Sequence, residues 1–303
     1  MSSRPVSELV ALPIGKKPGA LSHPGYQRAG SHDRPEMKVP EELALFVLRH
    51  IARHYTPSHS IMRPPRFAVI QGAPGEGKTE SVRVSCSRHG VDVVVVAASE
   101  LAGETENAGP AALVRLSEVV LAITAREGRP LMICLDDFDL SIAARLGMTQ
   151  YTVDSQLLTG ALQHLADTSA LKTADGFAVP IVMTGNDFTA MRCSLLRPGR
   201  AVFFEHALSL DEKCEIVARI FGVSSLKGVR ELVAAHRKQP LAFFAELRSL
   251  ALDEDLDLLI GQYGLNMRAI ESHMRDFARV PDFAHLQKLA AAARGPKNYM
   301  ARR

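Results

Sequence analysis

A glycine-rich run in the first third of the chain is the segment best suited to chemistry. The run GAPGEGKT follows the short apolar segment RFAVIQ and precedes a segment with helical spacing. Glycines at such a strand-to-helix turn let backbone N–H groups surround phosphate oxygens, while the lysine meets the β and γ oxygens and the threonine ligates Mg²⁺. The run therefore predicts a site for ATP and Mg²⁺. The predicted nucleotide contacts are Gly72, Ala73, Pro74, Gly75, Glu76, Gly77, Lys78, Thr79 and the following Glu80.

Two adjacent aspartates end a second apolar segment, LMICLDD. At the end of a buried strand beside the phosphate loop, Asp136 would hold Mg²⁺ and Asp137 would orient and polarise the attacking water as general base. Many proteins with such a site have a glutamate at this place. The shorter Asp137 would hold the base farther from the water and slow ATP hydrolysis, or Asp139 would share in activating the water. A helix-capping role for these acids is the alternative.

A third apolar segment, VPIVMTG, ends at Asn186 and Asp187. An amide between the base and the γ-phosphate would position the water, which makes Asn186 a candidate catalytic residue, with a simple turn as the alternative. Arg197 and Arg200 flank the tight turn that follows. Guanidinium groups suit phosphoryl transfer, and arginines supplied by a neighbouring chain would make hydrolysis depend on assembly. Local salt bridges are the alternative for both.

The elements that must position these residues change character along the chain. Short β-rich segments alternate with helical ones up to a capping box at Ser209 and Glu212, after which only helical spacing is found. The alternation predicts an α/β fold with a parallel sheet covered on both faces. We expect a flexible leader over 1–39, a P-loop α/β nucleotide-binding domain over 40–208, a small all-helical lid domain over 209–280 and a helical, basic tail over 281–303.

Composition and charge narrow the classes of protein to which the chain could belong. The chain has 303 residues, of which 47% are apolar, and a formal charge of +3. No apolar run reaches the roughly 18 residues of a membrane span, and no signal core is present, so we expect a cytoplasmic protein without a membrane partner. The mild charge and the lack of a DNA-binding motif argue against nucleic acid. The cysteines have no metal or disulfide spacing and are expected to be buried thiols: Cys86, Cys134, Cys193 and Cys214.

These elements together resemble the AAA+ family, and within it the green-type Rubisco activases. The closer likeness rests on ASEL at 98–101, ENAGP at 106–110, TQYTV at 149–153, VPIVMTGNDF at 179–188 and FF with LR at 243–248, within 66–262. By this resemblance Arg197 and Arg200 match finger arginines, and Arg248 matches a lid residue that touches nucleotide, although an ordinary helix arginine is the alternative. The loop from Glu100 to Pro110 matches the first pore loop, with Leu101 as its only large apolar contact, and Leu101 and Glu104 are expected to face a central channel.

The resemblance implies a homo-oligomer, six subunits by analogy, that uses ATP to remodel a protein partner. The partner itself does not carry over, because activases of this branch have a substantial N-terminal domain that engages Rubisco, whereas a leader and one helix precede the core here. The alternative is an ATP-controlled switch or scaffold that recruits a partner, with slow hydrolysis as its reset. Asp137 and a pore loop without an aromatic residue favour that alternative.

Overall fold

The computed structural model forms two compact units within its described residues. Of these residues, the sheet unit contains 23–32, 41–56, 64–72 and those described within 78–206, and the helical unit contains 37–40, 73–77 and those described within 207–292. The phosphate loop is thus divided between them. The structure describes residues 23–32, 37–56, 64–101, 108–139, 149–168, 171–189, 191, 195–274 and 282–292.

A six-stranded sheet lies at the centre of the sheet unit. Its strands are β1 (Tyr26–Gln27), β2 (Phe67–Gln71), β3 (Asp92–Ala97), β4 (Leu131–Asp136), β5 (Ile181–Gly185) and β6 (Ala201–Glu205). They lie in the order β1-β3-β4-β5-β2-β6, and all neighbours are parallel except β1 and β3. Because parallel strands align their carboxyl ends, the segments after β2, β4 and β5 meet at one edge. The predicted α/β fold is confirmed.

Helices pack on both faces of the sheet. They are α1 (Glu41–Tyr55), α2 (Lys78–Arg88), α3 (Ala98–Leu101), α4 (Ala108–Glu127) and α5 (Thr149–Asp167). Successive residues of β2 point to opposite faces, so that Val69 enters a core with α4 and α5, while Ile70 enters one with α1 and α2. Burial on both faces explains why the strand sequences are almost continuously apolar.

The helical unit contains α6 (Leu210–Phe221), α7 (Lys227–Ala235), α8 (Leu241–Tyr263), α9 (Met267–Met274) and α10 (Phe283–Ala292). The predicted capping box is confirmed. The Ser209 hydroxyl accepts from the Glu212 N–H at 3.2 Å, and the Glu212 carboxylate accepts from the Ser209 N–H at 2.9 Å. A left-handed Gly222 ends α6 with a φ of 68°. In none of the described ranges is a helix long and apolar enough to cross a membrane.

Two predicted boundaries need correction. The leader was expected to be loose chain, but part of it supplies β1, where the Tyr26 hydroxyl and the Ala29 N–H donate to Asp92 at 2.9 and 2.8 Å. The tail was expected to be separate, but α10 packs into the helical unit, with Leu286 fully buried. A two-residue strand among Gly and Pro leaves little periodic signal, and the helical spacing that did predict a helix in the tail does not show where that helix packs.

The remaining predictions on cysteines and chain ends are partly covered. Cys86, Cys134 and Cys214 are buried free thiols, as predicted. Burial raises the pKa of the Cys86 thiol to about 12, which makes it unreactive. Cys193 and the basic stretches within 1–22 and 293–303 lie outside the described residues.

Candidate nucleotide-binding site

Lys78 begins α2 directly after the phosphate loop. Its side chain is buried, and its Nζ donates to the Gly72 carbonyl oxygen at 2.8 Å and to Asn186 Oδ1 at 3.1 Å. Both oxygens belong to neutral groups at the carboxyl edge of the sheet. An ammonium binds phosphate oxygens through strong charge-assisted hydrogen bonds, so a lysine held at this edge is suited to bind them.

The loop before Lys78 has the backbone freedom that phosphate binding requires. A Cβ on Gly72 would lie 2.3 Å from the His206 carbonyl oxygen, so only glycine fits. Gly75 has a φ of 74°, in the left-handed region. The Gly75 carbonyl oxygen accepts from the Ala242 N–H at 3.0 Å, which fixes the exposed stretch through Ala73 and Pro74 at the start of α8 within the helical unit.

Three oxygen-bearing side chains contact one another at the carboxyl edge of the sheet. The hydroxyl of Thr79 donates to Asp136 Oδ1, and the hydroxyl of Thr184 donates to the same oxygen at 2.7 Å. The two hydroxyl oxygens lie 3.1 Å apart. Hydroxyl and carboxylate oxygens are the ligands that Mg²⁺ prefers, with phosphates and water in the other positions, so the donor set fits this ion. Thr184 was missed from sequence, where a polar residue inside an apolar strand was its only signal.

Asp137 follows β4 with an unusual backbone. Its φ of 47° lies in the left-handed region, which residues other than glycine seldom adopt, and the residue is exposed. Although the residue as a whole is exposed, neighbouring atoms keep water from part of its carboxyl, and this desolvation, followed by the negative charges of Asp136 and Asp139, raises the pKa of the Asp137 carboxyl, while Lys78 opposes the shift. A raised pKa makes a carboxylate a better proton acceptor, which suits the predicted base.

Asp139 fixes the turn that carries Asn186. Its carboxylate is buried and Oδ2 accepts from the N–H groups of Asn186 and Asp187 at 2.9 and 3.2 Å. A Cβ on Gly185 would lie 2.5 Å from Asp139 Oδ1, so glycine permits this close approach. These contacts give Asp139 a positioning role, where the sequence had suggested a share in activating water.

The two predicted finger arginines have different surroundings in the single chain. Arg200 makes a side-on pair with Asp167 at the end of α5, with Nε donating to Oδ1 at 2.9 Å and Nη2 donating to Oδ2. This pair lowers the pKa of the Asp167 carboxyl. Arg197 is exposed, and Arg248 is half-buried on α8 in the helical unit.

One predicted pore contact is wrong. Leu101 is 2% exposed and lies in the main core of the sheet unit with Leu113 and Leu158. The ASEL segment forms the single-turn α3, and this turn places the leucine inward. Glu104 lies outside the described residues. A buried Leu101 cannot present an apolar contact to a channel.

Side chains beside the loop are engaged by the protein itself. Glu80 pairs with His32 at 3.0 Å and with Arg83 at 3.2 Å, within the sheet unit. Glu76 pairs with Lys213 at 2.8 Å, within the helical unit. A direct contact of Glu76 or Glu80 with phosphate is therefore expected from the backbone N–H groups, and the predicted contacts at these positions stay predictions.

Comparison with known proteins agrees with this geometry. Residues 68–207 match the family described as ATPase family associated with various cellular activities, AAA. The chain therefore contains an AAA domain, and this match indicates ATP hydrolysis as the activity of that domain.

Three relatives of the chain are ribulose bisphosphate carboxylase/oxygenase activases. The chain is 33% identical to that of Anabaena sp. over 74% of this chain and 56% of that protein. The activase of Nostoc sp. is 31% identical over 78% of this chain and 61% of its own length. The chloroplastic activase of Phaseolus vulgaris is 28% identical over 72% and 51%. The matched part of this chain thus spans between half and two thirds of each relative.

Proposed function

We propose that this protein is a Mg-dependent AAA+ ATPase that assembles as a homo-oligomer, six subunits by analogy, and remodels a protein partner. The observation that carries the proposal is the direct hydrogen bonding of Lys78 to Asn186 and of Thr79 to Asp136 at the carboxyl edge of one parallel sheet. These residues are far apart in sequence. Bringing an ammonium, a hydroxyl, a carboxylate and an amide to one edge is the arrangement that phosphoryl transfer from a nucleotide requires.

Each side chain has a separate task in this proposal. Bound Mg²⁺ would offset the negative charge of the β- and γ-phosphates. Thr79 and Asp136 hold the ion, and Lys78 binds the phosphate oxygens. Asp137 accepts the proton of the attacking water, and Asn186 orients that water toward the γ-phosphate. Asp139 keeps Asn186 in place through the backbone of the turn.

Assembly is supported by the arginine side chains. Arg197 is exposed after the strand that carries Asn186. We propose that Arg197 and Arg200 act on the nucleotide of a neighbouring subunit, and that Arg200 exchanges Asp167 for phosphate when subunits meet. Arg248 is proposed to touch nucleotide from the lid.

The partner is proposed to be a protein complex, and the names of the relatives make Rubisco one candidate. We propose a cytoplasmic location and no nucleic-acid or membrane partner. A second function, an ATP-controlled assembly switch or scaffold with slow hydrolysis, is favoured by one observation. The burial of Leu101 removes the apolar contact expected in the pore loop.

Phosphate release by the purified full chain tests the site. We expect turnover that requires Mg²⁺ and is lost in Lys78→Ala, together with a loss of ATP affinity of about 100-fold, because a charge-assisted contact to the phosphates is removed. Lys172→Ala, at an exposed lysine of the same unit, is the control. Normal ATP binding by a folded Lys78→Ala protein would refute the site. Acceleration by a candidate partner separates the remodelling function from the switch.

A further inference from the structure

An ion pair joins the phosphate loop to the first helix of the helical unit. Lys213 Nζ donates to Glu76 Oε1 at 2.8 Å, and the side chains are only 9% and 12% exposed. The capping box at Ser209 fixes the start of α6, and Lys213 follows in its first turn. Cys214 and Ile216 of the same helix are buried in the core of the helical unit, so Lys213 is carried by a firmly packed element.

The position of Glu76 poses an electrostatic problem. Its backbone lies between Gly75 and Gly77, in the run whose N–H groups are proposed to bind phosphates. A carboxylate there places a negative charge beside a ligand that carries several, and like charges at this range repel each other by an amount that burial increases. The nearly buried ammonium of Lys213 offsets that charge locally.

We infer that Lys213 is a specificity-determining residue for nucleotide: it neutralises Glu76, and the net charge of this pair sets how strongly the loop binds polyphosphate. The inference rests on the proposed nucleotide site. It assigns to the helical unit a part in phosphate binding through charge, separate from any contact by Arg248.

A role through charge and a purely structural role predict different directions of change in ATP affinity. If the pair only fastens the loop to α6, loss of either partner weakens the fastening, and both single variants bind ATP less well. If the net charge matters, the two variants shift affinity in opposite directions. Glu76→Gln leaves the pair positive and strengthens ATP binding, whereas Lys213→Met leaves it negative and weakens ATP binding.

The test measures binding of ATP, ADP and adenosine to the full chain by calorimetry. We expect ATP affinity to rise in Glu76→Gln and to fall in Lys213→Met, each on the order of three- to tenfold, the size that one partly screened charge produces. The ATP affinity of the double variant should be close to that of the unmodified protein. The shifts shrink from ATP to ADP and vanish for adenosine. Lys227→Met, the same charge change at an exposed residue of this unit, is the control.

Several results would overturn the inference. A fall in ATP affinity for both single variants, or equal shifts for ATP and adenosine, would show that the pair acts on structure alone. If Lys213→Met does not fold, the Glu76→Gln result decides: a rise confined to phosphorylated ligands supports the inference and a fall overturns it. Lys78→Ala is measured in parallel. If Lys78→Ala loses ATP binding but the effects of the Glu76 and Lys213 variants do not shrink from ATP to ADP to adenosine, only the inference is overturned. If Lys78→Ala binds ATP unchanged, the proposed site and the inference are overturned together.

Discussion

The carboxyl edge of the sheet and the arginine turn over 197–200 were both predicted to serve hydrolysis, yet their side chains are organised differently. At the edge, Lys78 and Asn186 are bonded to each other, and Thr79 is bonded to Asp136. At the turn, Arg200 is bonded to Asp167 of the same chain. The four edge residues, proposed to act on the chain's own nucleotide, are already in contact in pairs, whereas Arg200, proposed to act on a neighbour, is held by a residue of its own chain. The difference is what a site shared between chains requires.

The largest effect is expected when the arginine turn is changed. Arg197→Ala should bind ATP nearly as the unmodified protein does but hydrolyse it on the order of 10³–10⁵ times more slowly, because a guanidinium that stabilises the transferring phosphoryl group is lost. Mixing Arg197→Ala with Lys78→Ala should recover activity, since one chain supplies the phosphate loop and the other supplies the arginine. Phosphate release over a range of protein concentrations measures both effects.

Asp167 gives the matched control for Arg200. If Arg200 acts on a neighbour, Arg200→Ala is as slow as Arg197→Ala, while Asp167→Asn, which removes the negative charge and one acceptor from the same pair, stays active. If Arg200 only holds the turn, Asp167→Asn and Arg200→Ala lose activity together. Mixtures that stay inactive although their subunits exchange would refute a site built from two chains.

The same contrast explains what could be predicted from sequence. The placement of Lys78, Thr79 and Asp136 followed from motifs at strand ends, because parallel topology brings those ends to one edge. Thr184 and the positioning role of Asp139 depend on register between strands, which a single sequence does not display. The charge partner of Glu76 depends on where α6 packs. The sequence therefore predicted the fold and the residues of the motifs, but not the side chains that support them.

Leu101 offers a second way to sharpen the comparison. Leu101→Ala should lower the free energy of unfolding by about 2–5 kcal/mol, the range for truncating a leucine in a packed core. Val114→Ala, at an exposed position on α4, should change it by less than about 0.5 kcal/mol. Urea unfolding followed by circular dichroism measures both. An unchanged stability of Leu101→Ala, with impaired work on a partner, would restore Leu101 to the pore.

The smallest effect concerns the opposite end of β5, away from the nucleotide edge. His50 on α1 is buried, and its pKa lies well below the ordinary value, because burial disfavours the charged ring and the nearby His54, Arg66 and Arg53 add repulsion. Above the unfolded pKa of about 6.5, the ring is neutral in both states and the full stability is present. As the pH falls below that value, the unfolded chain binds a proton that the folded protein does not, and stability is lost.

We therefore expect the free energy of unfolding to decrease between pH 7 and pH 5, with His50 contributing about 1–2 kcal/mol of the change. His50→Gln removes the titrating ring, so its stability should fall less over the same interval. The same substitution at the exposed His89 is the control. Urea unfolding at several pH values gives the difference between variants, in which contributions from other groups cancel. Equal pH dependence in His50→Gln and the unmodified protein would show that His50 does not limit stability in acid. ATP affinity of the folded His50→Gln protein at pH 7 should be unchanged, because this end of the sheet holds none of the residues proposed to bind phosphate.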